Sequence, residues 1–307
     1  MQTLDASTKE RHSAQLVVSV HGSGDTLCLQ AAEVMRQVAA RRSGSVQVLE
    51  LPLDPSAPLG EADELPVIAF GQRTVYTGCP TLEQAEELLR REEIASRVSK
   101  YAINNSAVVR LFAEGKVAVD PAALAHYYPI SLDFPIFLAR AIGHVRDENA
   151  RLLLVGNLYE EHGNLDASQT HPELFRNYIR ALDLNPDAFV NLDNAPAAAV
   201  VERYNAVCAE GPDHRALAML YGFEKQFSPI CTLLAAGLRR LELDEDAVRF
   251  FDVHSEVDVD HAEQLRFALF GACDSPRKWE EALEVAVEAS GLLYDFFDTT
   301  LKPVPRP

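Results

Sequence analysis

The sequence predicts two domains of different class: an α/β domain over residues 1–95 and an all-α helical bundle over residues 96–307. Residues 14–95 alternate between short β-branched runs, typical of buried strands, and segments of helical periodicity. Beyond a junction at residues 96–105, long amphipathic segments dominate, and no convincing strand is found up to residue 302. Six to eight helices are therefore expected in the second domain.

The elements of the first domain are predicted in the order β-α-β-β-β-α. Strands are expected over residues 14–22 and 46–54, a β-hairpin over 65–78, and helices over 28–42 and 81–93. Thr81 and Gln84 have the spacing of a capping box. This order, with Pro66 just before the third strand, resembles the thioredoxin-like fold, in which that proline is normally cis and faces the redox site.

The redox motif of that fold is degenerate in this sequence. Where Cys-x-x-Cys normally opens the first helix, the chain has Asp25-Thr26-Leu27-Cys28. Thiol–disulfide exchange needs two thiols, and only Cys28 remains in the motif. We expect a domain used for packing or partner contact, without dithiol oxidoreductase activity. A reactive Cys28 at a helix N-terminus is the alternative, and Cys79 could approach the same region.

The composition is that of a soluble globular protein, with 48% hydrophobic and 24% charged residues among 307. No apolar run approaches the roughly 18 residues of a membrane span, and the N-terminus lacks the apolar core of a secretory signal. Five scattered cysteines without a CxxC pair suit a reducing compartment, so we expect a cytoplasmic protein. A net charge of −18 disfavours nucleic acid and anionic membranes as partners.

Three potential metal ligands share one stripe of a predicted helix. His254, Asp258 and His261 stand at offsets 0, 4 and 7, which places them within about 60° of one another at 100° per residue. Two imidazoles and a carboxylate on one face form a ligand set that suits non-haem iron. The alternative is a polar, solvated face.

Further acidic residues and a histidine occur in the apolar helices of the same domain. Glu224 lies in a strongly apolar segment, where burying an unpaired carboxylate is costly; pairing with an arginine or exposure to solvent are the alternatives. Glu160 and Glu161 end another apolar helix, which Gly163 breaks, and His171 precedes Pro172 at the start of the next. Such oxygen and nitrogen donors are expected of a pair of iron or manganese ions.

The chain from Ser106 to Leu301 resembles the haem-oxygenase-like diiron oxidases, also called iron-containing redox enzymes. The resemblance follows ARLLLVGNLYEEHG, HPELF, the LYGFE helix and FFDVHSEVDVDHAEQ in order, and extends to a Chlamydia member associating with death domains. It implies a haem-oxygenase-like bundle whose metal ligands are Glu161, His171, Glu224, His254, Asp258 and His261. The chain has about three more residues between Glu161 and His171 than the family has at this place. His162, next to Glu161, is therefore kept as an alternative ligand.

The resemblance also implies the activity. Members hold two irons and use O2, so we expect a non-haem diiron oxidase or oxygenase acting on a small substrate. The net charge of −18 gives the chain no special attraction for anions, which favours an amine or amino acid over a fatty acid. One member assembles 4-aminobenzoate from its own tyrosine, but Val109 and Leu234 stand at the positions of that tyrosine and of an important lysine. Self-sacrificing synthesis is therefore disfavoured. Tyr127 and Tyr128 could face the metals or simply pack in the helix.

Two other classes of function stay open. A non-catalytic protein-interaction or scaffold protein would not need six aligned donors, and a metal-free thiaminase-type or quinone-cofactor enzyme lacks the His-x3-Asp-x2-His stripe. For the oxidase we expect a small-molecule substrate and an external electron donor, with no nucleic-acid or membrane partner. A homodimer is left open.

Overall fold

The computed structural model describes residues 16–42, 46–52, 66–71, 73–191, 193–241 and 243–305. The chain divides into two compact units, Met1–Ser96 and Arg97–Pro307. Parts of the predicted N-terminal strands and hairpin, at residues 14–15, 53–54, 65 and 72, lie outside the described residues.

In the described residues, the first unit is a four-stranded mixed sheet with two helices. The element order is the predicted one: β1 Leu16–Gly22, α1 Thr26–Ala39, β2 Val46–Pro52, β3 Val67–Phe70, β4 Arg73–Thr77 and α2 Leu82–Ser99. The strands are ordered β2-β1-β3-β4, with β1 parallel to β2 and antiparallel to β3, and with β3 antiparallel to β4. A parallel neighbour needs a crossover, which α1 supplies.

Apolar side chains of the sheet and both helices form the core of this unit, among them Val18, Met35, Ile68 and Leu89. The predicted capping box opens α2. Thr81 N–H donates to Gln84 Oε1 at 2.9 Å, and Gln84 N–H donates to Thr81 Oγ1 at 3.2 Å. Two backbone donors that the helix cannot satisfy are thereby paired.

Cys28 lies in the first turn of α1, where its N–H donates to the capping Asp25 carboxylate at 3.0 Å. Its side chain is buried against Gly22: a Cβ at that glycine would lie 2.0 Å from Cys28 Sγ and 3.7 Å from Pro66 Cβ. Cys79 is exposed, and both cysteines are free thiols. The cis form of Pro66 and the lack of dithiol activity stay predictions.

The second unit is a helical bundle, with eight α-helices in the described part of residues 97–305. This number lies within the predicted range. The helices are α3 Ala107–Ala113, α4 Tyr128–His144, α5 Glu148–Glu161, α6 His171–Ala181, α7 Ala195–Glu210, α8 Asp213–Leu238, α9 Glu245–Ala272 and α10 Pro276–Thr300.

The expectation of no strand in this region was wrong at one place. β5, Ala118–Val119, pairs antiparallel with β6, Pro303–Val304. Two residues per strand are too few to show the alternating pattern by which a strand is recognised. The pair ties the C-terminal segment to the loop before α4.

The two longest helices, α8 and α9, lie against each other, and α10 packs on α8. Gly222 allows that close approach, because a Cβ there would lie 2.6 Å from Ala286 O. Ser290 Oγ on α10 also donates to Gly222 O at 3.1 Å. Since α5, α6 and α8 each contact α9, four helices meet at α9. Among the described residues, no helix has both the length and the apolar character required to cross a membrane.

Candidate metal centre

A tight turn between α5 and α6 brings Glu161 and His171 together. The chain takes left-handed conformations at three successive residues, Gly163, Asn164 and Leu165, with φ of 61°, 54° and 71°. Gly163 is required there, since a Cβ would lie 2.5 Å from the carbonyl carbon of Gln169. The turn leaves Glu161 Oε1 2.9 Å from His171 Nδ1.

The middle of the bundle contains two groups of three buried side chains. Within each group the potential ligand atoms all lie within 4.8 Å of one another. One group takes Glu161 and His171 from the turn and a histidine from α9; the other takes a glutamate from α8 and two residues of α9. The groups are Glu161, His171 and His254, and Glu224, Asp258 and His261. The structure thus brings together all six residues that the sequence indicated.

The ligand atoms converge without bonding one another. His171 Nδ1 is near Glu161 but is not aligned for a hydrogen bond, and neither oxygen of Asp258 has a hydrogen-bond partner. His261 Nδ1 is 3.7 Å from both Glu224 Oε1 and Asp258 Oδ1, too far for a hydrogen bond. Buried polar atoms without partners are costly. A cation held among them would satisfy these atoms, so the residues fit metal ions.

The electrostatics of the cluster support the same interpretation. Burial, reinforced by Glu224 and Glu161, raises the pKa of Asp258 well above its usual value. Burial also raises the pKa of Glu224 to about 7, although His261 opposes the shift. These carboxyls resist ionisation because they are desolvated and close to like charges. A divalent cation would reverse that preference.

Burial and neighbouring charges shift the pKa values of two histidines in this cluster, His171 and His254, in opposite directions. Burial, with His171 nearby, lowers the pKa of His254 well below its usual value. Burial also disfavours charge on His171, but the carboxylates around it, Glu161 foremost, together outweigh this effect and the pKa of His171 is raised. His254 is therefore neutral at pH 7, which is the form of imidazole that binds a metal.

Three further contacts orient the candidate ligands, and none was identified from the sequence. His254 Nδ1 lies 2.7 Å from Phe250 O, which leaves Nε2 for a metal. His261 Nε2 lies 3.0 Å from Glu160 Oε2, which leaves Nδ1. Asn157 Nδ2 donates to Glu224 Oε1 at 2.9 Å. Such outer contacts fix the tautomer and direction of metal ligands. For Asn157, the four-residue spacing from Glu161 on α5 was the available sequence signal.

The other residues that the sequence suggested for the site are His162, Tyr127 and Tyr128, and they differ in their positions relative to the two groups. His162, the competing ligand, is exposed. Tyr127 is buried and lines a small cavity beside the first group, with its ring stacked on Phe227 and Phe297. Burial raises the pKa of Tyr127 well above its usual value. Tyr128 is not among the residues that line this cavity; its hydroxyl accepts a hydrogen bond from Arg176 Nε.

The cavity next to Tyr127 adjoins the first group more than the second. Four candidate ligands line it, together with two hydroxyl-bearing residues and three phenylalanines. Asp258 and His261 are not among the lining residues. The lining residues are Glu161, His171, Glu224, His254, Tyr127, Ser131, Phe134, Phe223 and Phe250.

Two characterised proteins share sequence with the chain. A 4-aminobenzoate synthase of Nitrosomonas europaea is 28% identical over 142 residues, covering 45% of this chain and 56% of its own length. A 4-chloro-allylglycine synthase of Streptantibioticus cattleyicolor is 24% identical over 189 residues, covering 59% of this chain and 71% of its own length. The first match thus spans little more than half of that relative.

A solved structure shows the fold of the bundle. A domain of unknown function with a haem-oxygenase-like fold from Shewanella denitrificans superimposes with a TM-score of 0.55 at 17% identity, covering 69% of this chain and 90% of that one. The second unit therefore has the haem-oxygenase-like fold. The family model of iron-containing redox enzymes matches residues 122–293, more than half of the sequence and all six candidate ligands. The chain belongs to the family of iron-containing redox enzymes.

Proposed function

We propose that this chain is a non-haem diiron oxidase or oxygenase that uses O2 to oxidise a small amine or amino acid. The observation that carries the proposal is the pair of buried three-residue groups, in which His171 Nδ1, His261 Nδ1 and both carboxylate oxygens of Asp258 lack hydrogen-bond partners. Carboxylate and imidazole are the ligands expected of non-haem iron, with manganese as an alternative.

Each group would hold one ion. Glu161, His171 and His254 would bind the first, and Glu224, Asp258 and His261 the second. Iron bound there would supply the activation of O2 and the redox chemistry. We also propose that an external electron donor supplies the reducing equivalents for this chemistry.

The remaining residues of the centre would orient ligands and exclude water. Glu160 contacts His261 Nε2 and would hold that imidazole so that Nδ1 faces an ion. The carbonyl of Phe250 contacts His254 Nδ1 in the same way, so that Nε2 would face an ion. Phe223 and Phe134, whose rings stack at 4.5 Å, line the cavity with apolar surface. Exclusion of water strengthens electrostatic interactions in the site and protects reactive species from side reactions.

The substrate class is drawn from the two relatives and from the chain itself. Their names describe products that carry an amino group, which supports an amine or amino acid over a fatty acid. Val109 and Leu234 are fully buried aliphatic residues. Neither can supply the phenol or amine that self-sacrificing aminobenzoate synthesis needs, so we propose an external substrate.

The identity of the first unit also belongs to this proposal. Its strand order and its parallel β1-α1-β2 unit support a thioredoxin-like domain, and we propose that assignment with a degenerate redox motif. The resemblance to the chlamydial protein, the domain boundary at residue 95 and the cytoplasmic location stay predictions.

The test is iron content followed by O2 uptake. The full chain, produced in iron-supplemented medium, should hold two irons and consume O2 with some member of a panel of amines and amino acids when a reductant is present. His254→Ala should lose iron and uptake. His214→Ala, which removes a buried histidine bonded to Glu281, should keep both. A wild-type chain that binds no iron would favour the scaffold function instead.

A further inference from the structure

A second cavity of the helical bundle lies away from the metal centre, where the α4–α5, α7–α8 and α9–α10 connections meet. It is a cleft of about 370 Å³, whereas the cavity beside the metal groups measures about 10 Å³, room for one water. His214, which lines the cleft, precedes Glu224 by ten residues on α8, or about 15 Å at the helical rise. The cleft is therefore separate, and its size is that of a small-molecule site.

A buried histidine of the cleft has one nitrogen without a partner. His214 is 3% exposed, and its Nε2 lies 2.9 Å from Glu281 Oε2. Its Nδ1 has no hydrogen-bond partner among the described residues. A neutral imidazole that donates its proton from Nε2 to a carboxylate keeps a lone pair on Nδ1. Because buried polar atoms are normally paired, this nitrogen indicates that a hydrogen-bond donor binds in the cleft.

Two carboxylates of the cleft are not neutralised. Asp147 and Asp213 accept hydrogen bonds from backbone N–H groups, at 2.7 and 2.8 Å, and neither forms an ion pair among the described residues. The third carboxylate, Asp274, pairs with Lys278 Nζ at 2.7 Å. Three aspartates against one lysine leave two negative charges uncompensated along the cleft. The charge that would complement this lining is therefore +2.

The donors of the cleft are spaced too widely to hold a bare metal ion. Among the described residues, three potential ligand atoms come within 4.8 Å of one another only in the two groups of the metal centre. A metal ion needs its ligand atoms at about 2.0–2.6 Å from itself. Two separated carboxylates suit two ammonium groups joined by a short chain. Val145 and Leu217 line the same cleft and offer apolar surface to the methylenes between those groups.

We propose that this cleft binds an organic dication, a short aliphatic diamine. Its two ammonium groups bind Asp147 and Asp213 through charge-assisted hydrogen bonds, and one of them also donates to His214 Nδ1. The proposal goes beyond the proposed function and does not depend on it, since no residue of the cleft belongs to either metal group. Occupancy of the cleft is therefore expected to leave iron content unchanged.

The first experiment compares a diamine with the matched monoamine. The iron-loaded full chain is titrated calorimetrically with putrescine, a four-carbon diamine, and with n-butylamine, under anaerobic conditions so that no amine is oxidised. Putrescine should bind about tenfold more tightly, the lower range for one additional charge-assisted hydrogen bond. Absence of saturable putrescine binding, or equal affinities for the two amines, would overturn the proposal.

The second experiment removes the charges one at a time. Asp147→Asn and Asp213→Asn each keep an oxygen that can accept the backbone hydrogen bond, so the fold is retained. Each should raise the dissociation constant of putrescine about tenfold, close to that of n-butylamine. Asp244→Asn is the control, because it removes the same charge from the cap at the opposite end of α9. Unchanged affinity in both cleft variants, or an equal loss in Asp244→Asn, would refute the site.

The third experiment tests for a metal ion and separates this proposal from the proposed function. Calcium chloride should displace putrescine no more than sodium chloride of equal ionic strength; displacement by calcium alone would assign the cleft to a metal ion and overturn the proposal. Asp147→Asn and Asp213→Asn should contain as much iron as wild type. If wild type holds no iron but binds putrescine as described, the proposed function fails and the cleft assignment stands.

Discussion

His261 is held between Glu160 on one side and the second ligand group on the other. Its Nε2 lies 3.0 Å from Glu160 Oε2, and its Nδ1 lies 3.7 Å from Glu224 Oε1. Glu160 is half-buried at the end of α5, whereas His261 is 2% exposed on α9. The carboxylate thus selects the tautomer that carries its proton on Nε2 and presents Nδ1 to a metal.

Removing that carboxylate should weaken metal binding without removing a ligand. Glu160→Ala is expected to lower affinity for ferrous iron by about tenfold, the lower range for loss of a carboxylate behind a ligating histidine. Anaerobic competition with a chelator measures it. Glu160→Gln, which keeps an acceptor oxygen, should retain most of the affinity, and Glu256→Ala removes an exposed carboxylate of α9 as a control. Wild-type affinity in Glu160→Ala would show that His261 needs no such partner.

The turn at Gly163 should control the first ion. Alanine at φ 61° with a backbone atom 2.5 Å from its Cβ would force the turn to open. Gly163→Ala should therefore lose the ion of Glu161, His171 and His254 and keep the other, giving about half the iron by elemental analysis. Gly156→Ala on α5 meets open space and serves as the control.

The same reasoning predicts unequal affinities in the wild type. The first group depends on this turn, while the second comes from α8 and α9, which are packed along their length. We expect the first ion to be released first under chelation. Two irons in Gly163→Ala with unchanged affinities would contradict both expectations.

Stability of the metal-free chain should fall as pH rises from 6.5 to 8. The pKa of Glu224 is raised to about 7 and that of Asp258 is raised well above its usual value, so the folded chain holds these protons more tightly than the unfolded chain. The stability from this protonation is complete below the unfolded values and is lost as pH rises through the folded ones. His254, with its lowered pKa, has the opposite effect only below about pH 6.5.

Melting midpoints of chelator-treated protein at pH 6.5, 7.2 and 8 test this dependence. Asp258→Asn cannot ionise and should flatten it. Metal competes with these protons, so the midpoint gained on adding iron should be larger at pH 8 than at pH 6.5. A metal-free midpoint that rises with pH over this window would be inconsistent with the raised carboxyl pKa values.

Helical periodicity predicted that three candidate ligands share one face of α9. It could not predict how the six candidate ligands divide between the two groups. The stripe of His254, Asp258 and His261 follows from rotation per residue alone. Which partners each would meet depends on the height at which α5, α6 and α8 cross α9, and no local pattern encodes that height. His254 and His261 are about 10 Å apart along the helix axis at 1.5 Å per residue, which is why they fall in different groups.

Contacts between residues that are far apart in the chain could not be predicted from the sequence, for the same reason. Glu160 and His261 are 101 residues apart, and the β5–β6 pair joins residues near 118 and 304. By contrast, the capping box of Thr81 and Gln84 is a three-residue motif and was predicted correctly.

The most direct test of the account is a thermal melt of chelator-treated full chain with ferrous iron added anaerobically. Metal that binds only the folded form should stabilise it by about 3 kcal/mol at 100 times the dissociation constant, which raises the midpoint of a bundle of this size by roughly 6–12 °C. Wild type and His214→Ala should show this rise, and His254→Ala should show a much smaller one. No rise in wild type, or an equal rise in His254→Ala, would contradict the assignment of these buried groups as a metal centre.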